Sequence, residues 1–373
     1  MTRSNPWLPI AASGLLLASI PSSAGQALPR STPEAEGISS PGIRAFITTV
    51  DRDESKYAVH SFMLVRHGNV VAEGWWKPHS AAESHVLHSL SKSFTSTAIG
   101  LAVAEGRLSI DDPVLKFFPD EAPPSPGANL RAMRVRDLLT MTCGHETEPK
   151  LVGKSSWVKI FLAHSVPHAP GTHFLYDSPG VYMLSAIVQK VTGQTVLDYL
   201  RPRLFGPLGI PNPVWDASPE GITMGSTGLR LRTEEIAEFG QLYLQGGRWN
   251  GVQLIPSSWA EAATSKEVPN DEGSGARRVP NSRQGYGYNF WMTTHEGYRA
   301  AGSRGQYCLV FPKLDTVVVT TADTEVMDSL LALIVGNLLP AIKSGPLPAD
   351  AAGLEELRKT LSSLAIPGLA PST

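Results

Sequence analysis

Strand-like segments at opposite ends of the chain constrain its fold more than any other feature. Residues 61–66 and 70–76 are rich in β-branched and aromatic side chains, and His67, Gly68 and Asn69 separate them as a hairpin turn would. A second pair, 307–311 and 316–321, lies far down the chain and is turned by the stretch from Pro312 to Asp315. Between the pairs the periodicity is helical. Residues 89–105 place Phe94, Ala98, Leu101 and Ala102 on one face and stop at Gly106. Residues 135–141 read as a short apolar helix. Ser178 reads as the N-cap of a helix that has Pro179 in its first turn and runs to Gly193. Thr195 with Asp198 caps another helix, and Thr233 reads as the cap of 234–245, ahead of Gly246 and Gly247. One mainly antiparallel sheet built from both ends, flanked by helices and interrupted by a helical lobe, is the α/β arrangement that this order predicts. The α/β lobe would take about 28–112 and 285–373, and the helical lobe about 113–284. Residues 270–284 read as a polar surface loop, and the tail after Gly345 holds one short helix over 354–364.

Of the 373 residues 18% are charged, below the ~25% typical of soluble domains, so charge-driven disorder is excluded. Lys and Arg number 32 against 34 Asp and Glu, a net charge of -2, which gives a polyanion no footprint. With 34 glycines and 30 prolines the chain suits an irregular α/β enzyme better than a helical bundle. The N-terminus has the three parts of a secretory leader: Arg3 as positive charge, the apolar run 10–20, then Pro21 and the small residues Ser22 to Ala24. That run is short of the ~20 residues that span a bilayer, so cleavage near Ala24, or after Ala27, and a periplasmic or secreted product are expected. The two cysteines, Cys143 and Cys308, allow at most one bridge, and two buried thiols are the expectation for so sparse a set.

The chain has neither Gly-x-Ser-x-Gly nor His-Glu-x-x-His. His79, His85 and His88 lie close together but lack a third ligand at diagnostic spacing, so they read as ordinary packing or surface histidines. Ser89 and Lys92 open the 89–105 helix with a Ser-x-x-Lys spacing that puts both side chains on one face. A half-buried lysine there can take the hydroxyl proton, and the helix N-terminus favours a developing oxyanion. Ser89 as an N-cap beside a solvated Lys92 fits the same four residues.

The wider neighbourhood, residues 88–96 followed by 98–106 and 108–114, resembles the serine β-lactamase and penicillin-binding superfamily. It is most similar to the branch of class C β-lactamases, D-alanyl-D-alanine carboxypeptidases, family VIII carboxylesterases and 6-aminohexanoate-dimer hydrolases. Blocks 135–141, 170–178, 228–232 with the 235–247 helix, 285–288 and 302–319 follow in the same order, so the likeness spans about 33–340. The resemblance implies that Tyr176 shares the general base role with Lys92. It also places Ser178 where the family's Tyr-x-Asn motif has asparagine, which counts against strong β-lactam hydrolysis. The third family motif falls on Ala300 to Ser303, with alanine at the basic position, Gly302 permitting close approach, and the Ser303 and Ser89 N–H groups as oxyanion hole. A register on Ser303, Arg304 and Gly305 stays open, with Arg299 and Arg304 as flanking cations. The activity implied is that of an exported serine hydrolase cleaving small esters or amides through an acyl-enzyme, with no metal or organic cofactor. Alternatives are a D-Ala carboxypeptidase or β-lactamase acting on cell-wall peptides or β-lactams, and a penicillin-recognising sensor without turnover. Small ester, amide or peptide substrates are the expected partners, with no nucleic acid and no membrane span after leader cleavage.

Overall fold

The computed structural model describes residues 27–153, 156–270 and 280–366. The leader read at 1–24 and most of the 270–284 loop lie outside them. Six antiparallel strands form the main sheet: β1 (Val59–Arg66), β2 (Asn69–Trp75), β3 (Trp291–Thr293), β4 (Gly297–Gly302), β5 (Gln306–Phe311) and β6 (Thr316–Ala322). Their order is β2-β1-β6-β5-β4-β3, so the N-terminal hairpin joins the C-terminal strands through β1 and β6. Alternation along the strands builds two cores. Met63, Val65, Cys308, Val310, Val317 and Val319 face one. Phe62, Leu64, Tyr307, Leu309 and Val318 face the other.

The second core is closed by α1 (Ser40–Arg52) and, near the C-terminus, Ala351–Ser363; the first takes in α2 (Ser91–Ala104), α3 (Ser178–Thr192) and α4 (Thr233–Leu244). Helix α4 lies hard against the sheet at Gly240, where a Cβ would come within 2.6 Å of Val317 Cγ1 and 2.7 Å of Cys308 Sγ. No helix among the described residues is long and apolar enough to cross a membrane.

Several local expectations are corrected. A 3-10 turn, His88–Leu90, precedes α2, so Ser89 stands in an approach turn and not in the α-helix itself. The 135–141 helix closes as Val135–Leu139. Asp177, not Ser178, caps α3, its carboxylate accepting from the Gly180 N–H at 3.0 Å. At α4 the reaching group is the Glu235 carboxylate, which accepts from the Arg232 N–H at 2.7 Å, while the Thr233 hydroxyl donates to Ser61 Oγ. Both cysteines are free and buried, as expected. Of the described residues of the 270–284 stretch, Pro280, Arg283 and Gln284 are exposed as a surface loop requires, while Asn270 and Ser282 are buried and tied together by a 2.8 Å bond from Asn270 Nδ2 to the Ser282 carbonyl.

Candidate active site

Ser89 is delivered by strand pairing. His85–Val86 pairs with Leu229–Leu231, the chain turns through His88 at a φ of 47°, and Ser89 follows in the 3-10 turn. One turn later Lys92 is 2% exposed. Its Nζ lies 3.2 Å from Ser89 Oγ, 3.1 Å from Ser178 Oγ and 2.9 Å from the Ser226 carbonyl oxygen. Burial pushes its pKa down from 10.5 to about 7, against the opposing pull of Glu148 and Asp177. Near neutral pH a large fraction is therefore free amine, with a lone pair able to accept the Ser89 proton. The neighbouring serines are committed elsewhere: the Ser91 hydroxyl donates to the His88 carbonyl at 2.6 Å, and that of Ser93 to the Asn289 carbonyl at 2.7 Å.

A pocket of about 200 Å³ opens over Ser89, with Tyr176, Trp291, Arg299, Gly302 and Ser303 in its wall. Tyr176 stacks on Trp291 with ring centroids 5.4 Å apart, and Lys92 Nζ lies 5.0 Å from the Tyr176 ring centre. Gly302 lets β4 close on the turn that carries Ser89, since a Cβ there would sit 2.0 Å from the Leu87 carbonyl oxygen. Ser89, Lys92, Tyr176, Ser178, Gly302 and Ser303 thus converge on one place. A larger groove of about 570 Å³, between β2 and the Ala351–Ser363 helix, contains none of them.

The strand register decides between the flanking cations. Ala300 is 1% exposed and faces the core, whereas Arg299 and Ala301, two apart on β4, face the pocket. Arg299 is held there by bonds from its guanidinium to the Asn281 and Met292 carbonyls at 2.8 and 2.9 Å. Arg304 pairs instead with Asp323 and Glu325, outside the pocket wall. A lysine in place of Ala300 would enter the apolar core, so that position is no vacant seat for a substrate-binding cation.

Four contributors escaped the sequence reading. Asp177 forms a fully buried pair with His145, Oδ2 to Nδ1 at 2.7 Å. Glu148 accepts from the Ser178 N–H at 2.8 Å, and the Ser226 carbonyl anchors Lys92. Asp177 carried a signal, because an aspartate before Ser178 and Pro179 is itself a strong N-cap candidate. His145, Glu148 and Ser226 carried none.

A family model described as beta-lactamase matches residues 49–332. The chain belongs to the beta-lactamase family. It is accordingly a serine hydrolase of the β-lactamase and penicillin-binding superfamily, whose relatives include esterases, amidases and carboxypeptidases. A 6-aminohexanoate-dimer hydrolase from Paenarthrobacter ureafaciens is 24% identical over 285 residues, 69% of this chain and 71% of that protein. A lovastatin esterase from Penicillium rubens is 27% identical over 150 residues, 33% of this chain and 37% of its own length. The curated relatives are matched over 27% to 71% of their lengths. The fold of this β-lactamase family chain is also that of a penicillin-binding protein homologue from Caulobacter crescentus, with a TM-score of 0.66 at 17% identity, covering 81% of this chain and 97% of that one.

Proposed function

We propose that this chain is an exported esterase or amidase for small substrates, with Ser89 as nucleophile and Lys92 and Tyr176 as the proton-transfer pair. The observation that carries the reading is the buried Lys92 amine within 3.2 Å of the Ser89 hydroxyl, beneath a pocket of about 200 Å³. Ser89 Oγ adds to the substrate carbonyl as its proton passes to Lys92. The resulting oxyanion meets the Ser89 and Ser303 N–H groups. Collapse expels the alcohol or amine, which takes the proton back from the Lys92–Tyr176 pair. Water then attacks the acyl-enzyme, giving up a proton to the same pair, and the acid leaves as Ser89 is restored. On the lobe division at 113 and 285, Ser89, Lys92 and Ser303 come from the α/β lobe and Tyr176 and Ser178 from the helical one, so substrate would sit between lobes. Export rests on the charged and apolar composition of residues 1–24.

The test is intact-mass and peptide mapping after incubation with a fluorophosphonate. One label on Ser89, absent in Ser89→Ala, is expected, and label on Ser91 or Ser226 would overturn the assignment.

A second reading, action on carboxylate-bearing substrates such as β-lactams or D-Ala peptides, is favoured by Arg299 in the pocket wall. A charge-assisted hydrogen bond contributes roughly 1.5–3 kcal/mol, so an arginine free to turn toward substrate would add about one to two decades of kcat/KM for an anion. Its two carbonyl bonds hold the guanidinium back, and the family's asparagine is Ser178 here. Higher kcat/KM for p-nitrophenyl butyrate than for nitrocefin is therefore expected. Equal values, with that for nitrocefin alone falling in Arg299→Gln, would favour the second reading, and a stoichiometric burst without turnover would favour a sensor.

A further inference from the structure

Ahead of the nucleophile turn lies a second group of side chains that the acyl-transfer chemistry does not use. His60 near the start of β1, His79 in the connection after β2, and His85 four residues before Ser89 gather into one cluster. Their ring centroids are 4.0 Å apart for His60 and His79, 5.4 Å for His79 and His85, and 5.6 Å for His60 and His85. One ring nitrogen from each lies within 4.8 Å of the others. From this geometry we propose that His60, His79 and His85 form a binding site for one divalent transition-metal ion of the zinc class, with water completing the shell.

Chain spacing alone pairs His79 and His85 with His88. The fold replaces His88 with His60, supplied by the strand that the loop packs against. Two further observations point to a ligand. His85 is 8% exposed, and its Nε2 is buried with no hydrogen-bond partner; such a nitrogen is costly unless something occupies its lone pair or takes its proton. The second concerns His79, whose Nδ1 lies 2.9 Å from the Glu83 carboxylate. That bond keeps the proton on Nδ1 and leaves Nε2 as a lone-pair donor, the carboxylate–histidine arrangement found behind metal-ligating imidazoles.

The donor set selects the ion. Three imidazoles suit zinc, nickel or copper and offer nothing to magnesium or calcium, which take oxygen ligands. Zn–N bonds of about 2.0–2.1 Å in a tetrahedron need nitrogens about 3.4 Å apart, so the rings must draw in by up to about 1.4 Å, and one of His60 and His79, stacked at an interplanar angle of 24°, must rotate so that both in-plane lone pairs meet the ion. His60 and His79 are half-buried and can turn to do so. None of the three lines the Ser89 pocket. An ion here would tie β1 to the segment that leads through Leu87, whose carbonyl abuts Gly302, into Ser89. Its effect is on the stability of that segment. The other three-ligand group among the described residues, Glu146, His168 and His173, differs in kind: Glu146 is exposed and already holds His168 Nε2 at 2.5 Å.

Titration of the chelator-stripped full chain with cobalt chloride tests the proposal. One equivalent should bind with the visible d–d absorption of a four- or five-coordinate nitrogen site, zinc should displace it, and zinc should raise Tm. His79→Ala, in a loop where loss of the ring threatens folding least, should weaken binding by more than about 100-fold, and His60→Asn likewise. Glu83→Gln should weaken it about 10–100-fold, and His168→Ala should leave it unchanged. Absence of the cobalt spectrum in the wild type overturns the proposal. So does wild-type binding by folded His60→Asn and His79→Ala, or its loss in His168→Ala alone.

Discussion

Lys92→Met is expected to fold and to lose about 10⁴-fold or more in kcat/KM for p-nitrophenyl butyrate. General-base removal alone typically costs ~10²–10⁴-fold, and Lys92 also sets the places of Ser89 Oγ and Ser178 Oγ, so its loss disables a unit whose members are not additive. The pH profile of the wild type carries the sign. With a pKa near 7 the amine is protonated in acid and cannot accept the serine proton, so kcat/KM should rise through about pH 7 and level off above it. The same shift acts on stability. Between about 7 and the ordinary 10.5 the unfolded chain holds a proton that the folded chain has released, so wild-type stability should rise with pH relative to Lys92→Met across that window. Kinetics in overlapping buffers and urea denaturation at pH 7 and 9.5 check both. A flat profile for kcat/KM would mean that Lys92 serves as a fixed cation, leaving proton transfer to Tyr176.

The sheet and the closeness of Ser89 to Lys92 were legible because each rests on local information. Alternation along 61–66 and 307–311 declares two buried faces, and Ser89 and Lys92 are close enough in sequence for helical geometry alone to relate them. What stayed hidden depends on backbone path. Asp177 and Ser178 are both good caps, and only the φ and ψ of residue 177 decide that the aspartate takes the Gly180 N–H and frees the serine for Lys92. Ala300 and Arg299 differ by one step on β4, and a one-residue shift of register exchanges core and pocket. Nothing local announces that Gly297 starts the strand so that the arginine faces the pocket. His60 is further still from its partners in sequence, and only the pairing of β1 with β2 brings the 76–85 segment back beside it. Long-range closure of this kind leaves no periodic trace in either segment.

The His145–Asp177 pair makes the other large prediction, on stability. Both side chains are essentially unexposed, at 0% and 1%. The Asp177 carboxylate satisfies the imidazole through Oδ2 and the first turn of α3 through Oδ1. Asp177→Ala removes both acceptors at once and leaves the imidazole with no partner at either nitrogen, since Nε2 already has none. Breaking one side of a buried pair typically costs about 3–5 kcal/mol, of which a lost N-cap accounts for about 1. A destabilisation of about 3–5 kcal/mol is therefore expected from urea denaturation, with an unchanged slope. Asp177→Asn, which keeps a capping oxygen and can still bond the imidazole, should cost less than half as much. The pair matters to the site because Tyr176 and Ser178 flank the residue it anchors. In the folded fraction, Asp177→Asn should lower kcat while fluorophosphonate labelling of Ser89 continues, since the nucleophile turn hangs on different bonds. An Asp177→Ala chain that unfolds at the wild-type midpoint would show that α3 and the Tyr176 to Ser178 segment are held by apolar packing alone.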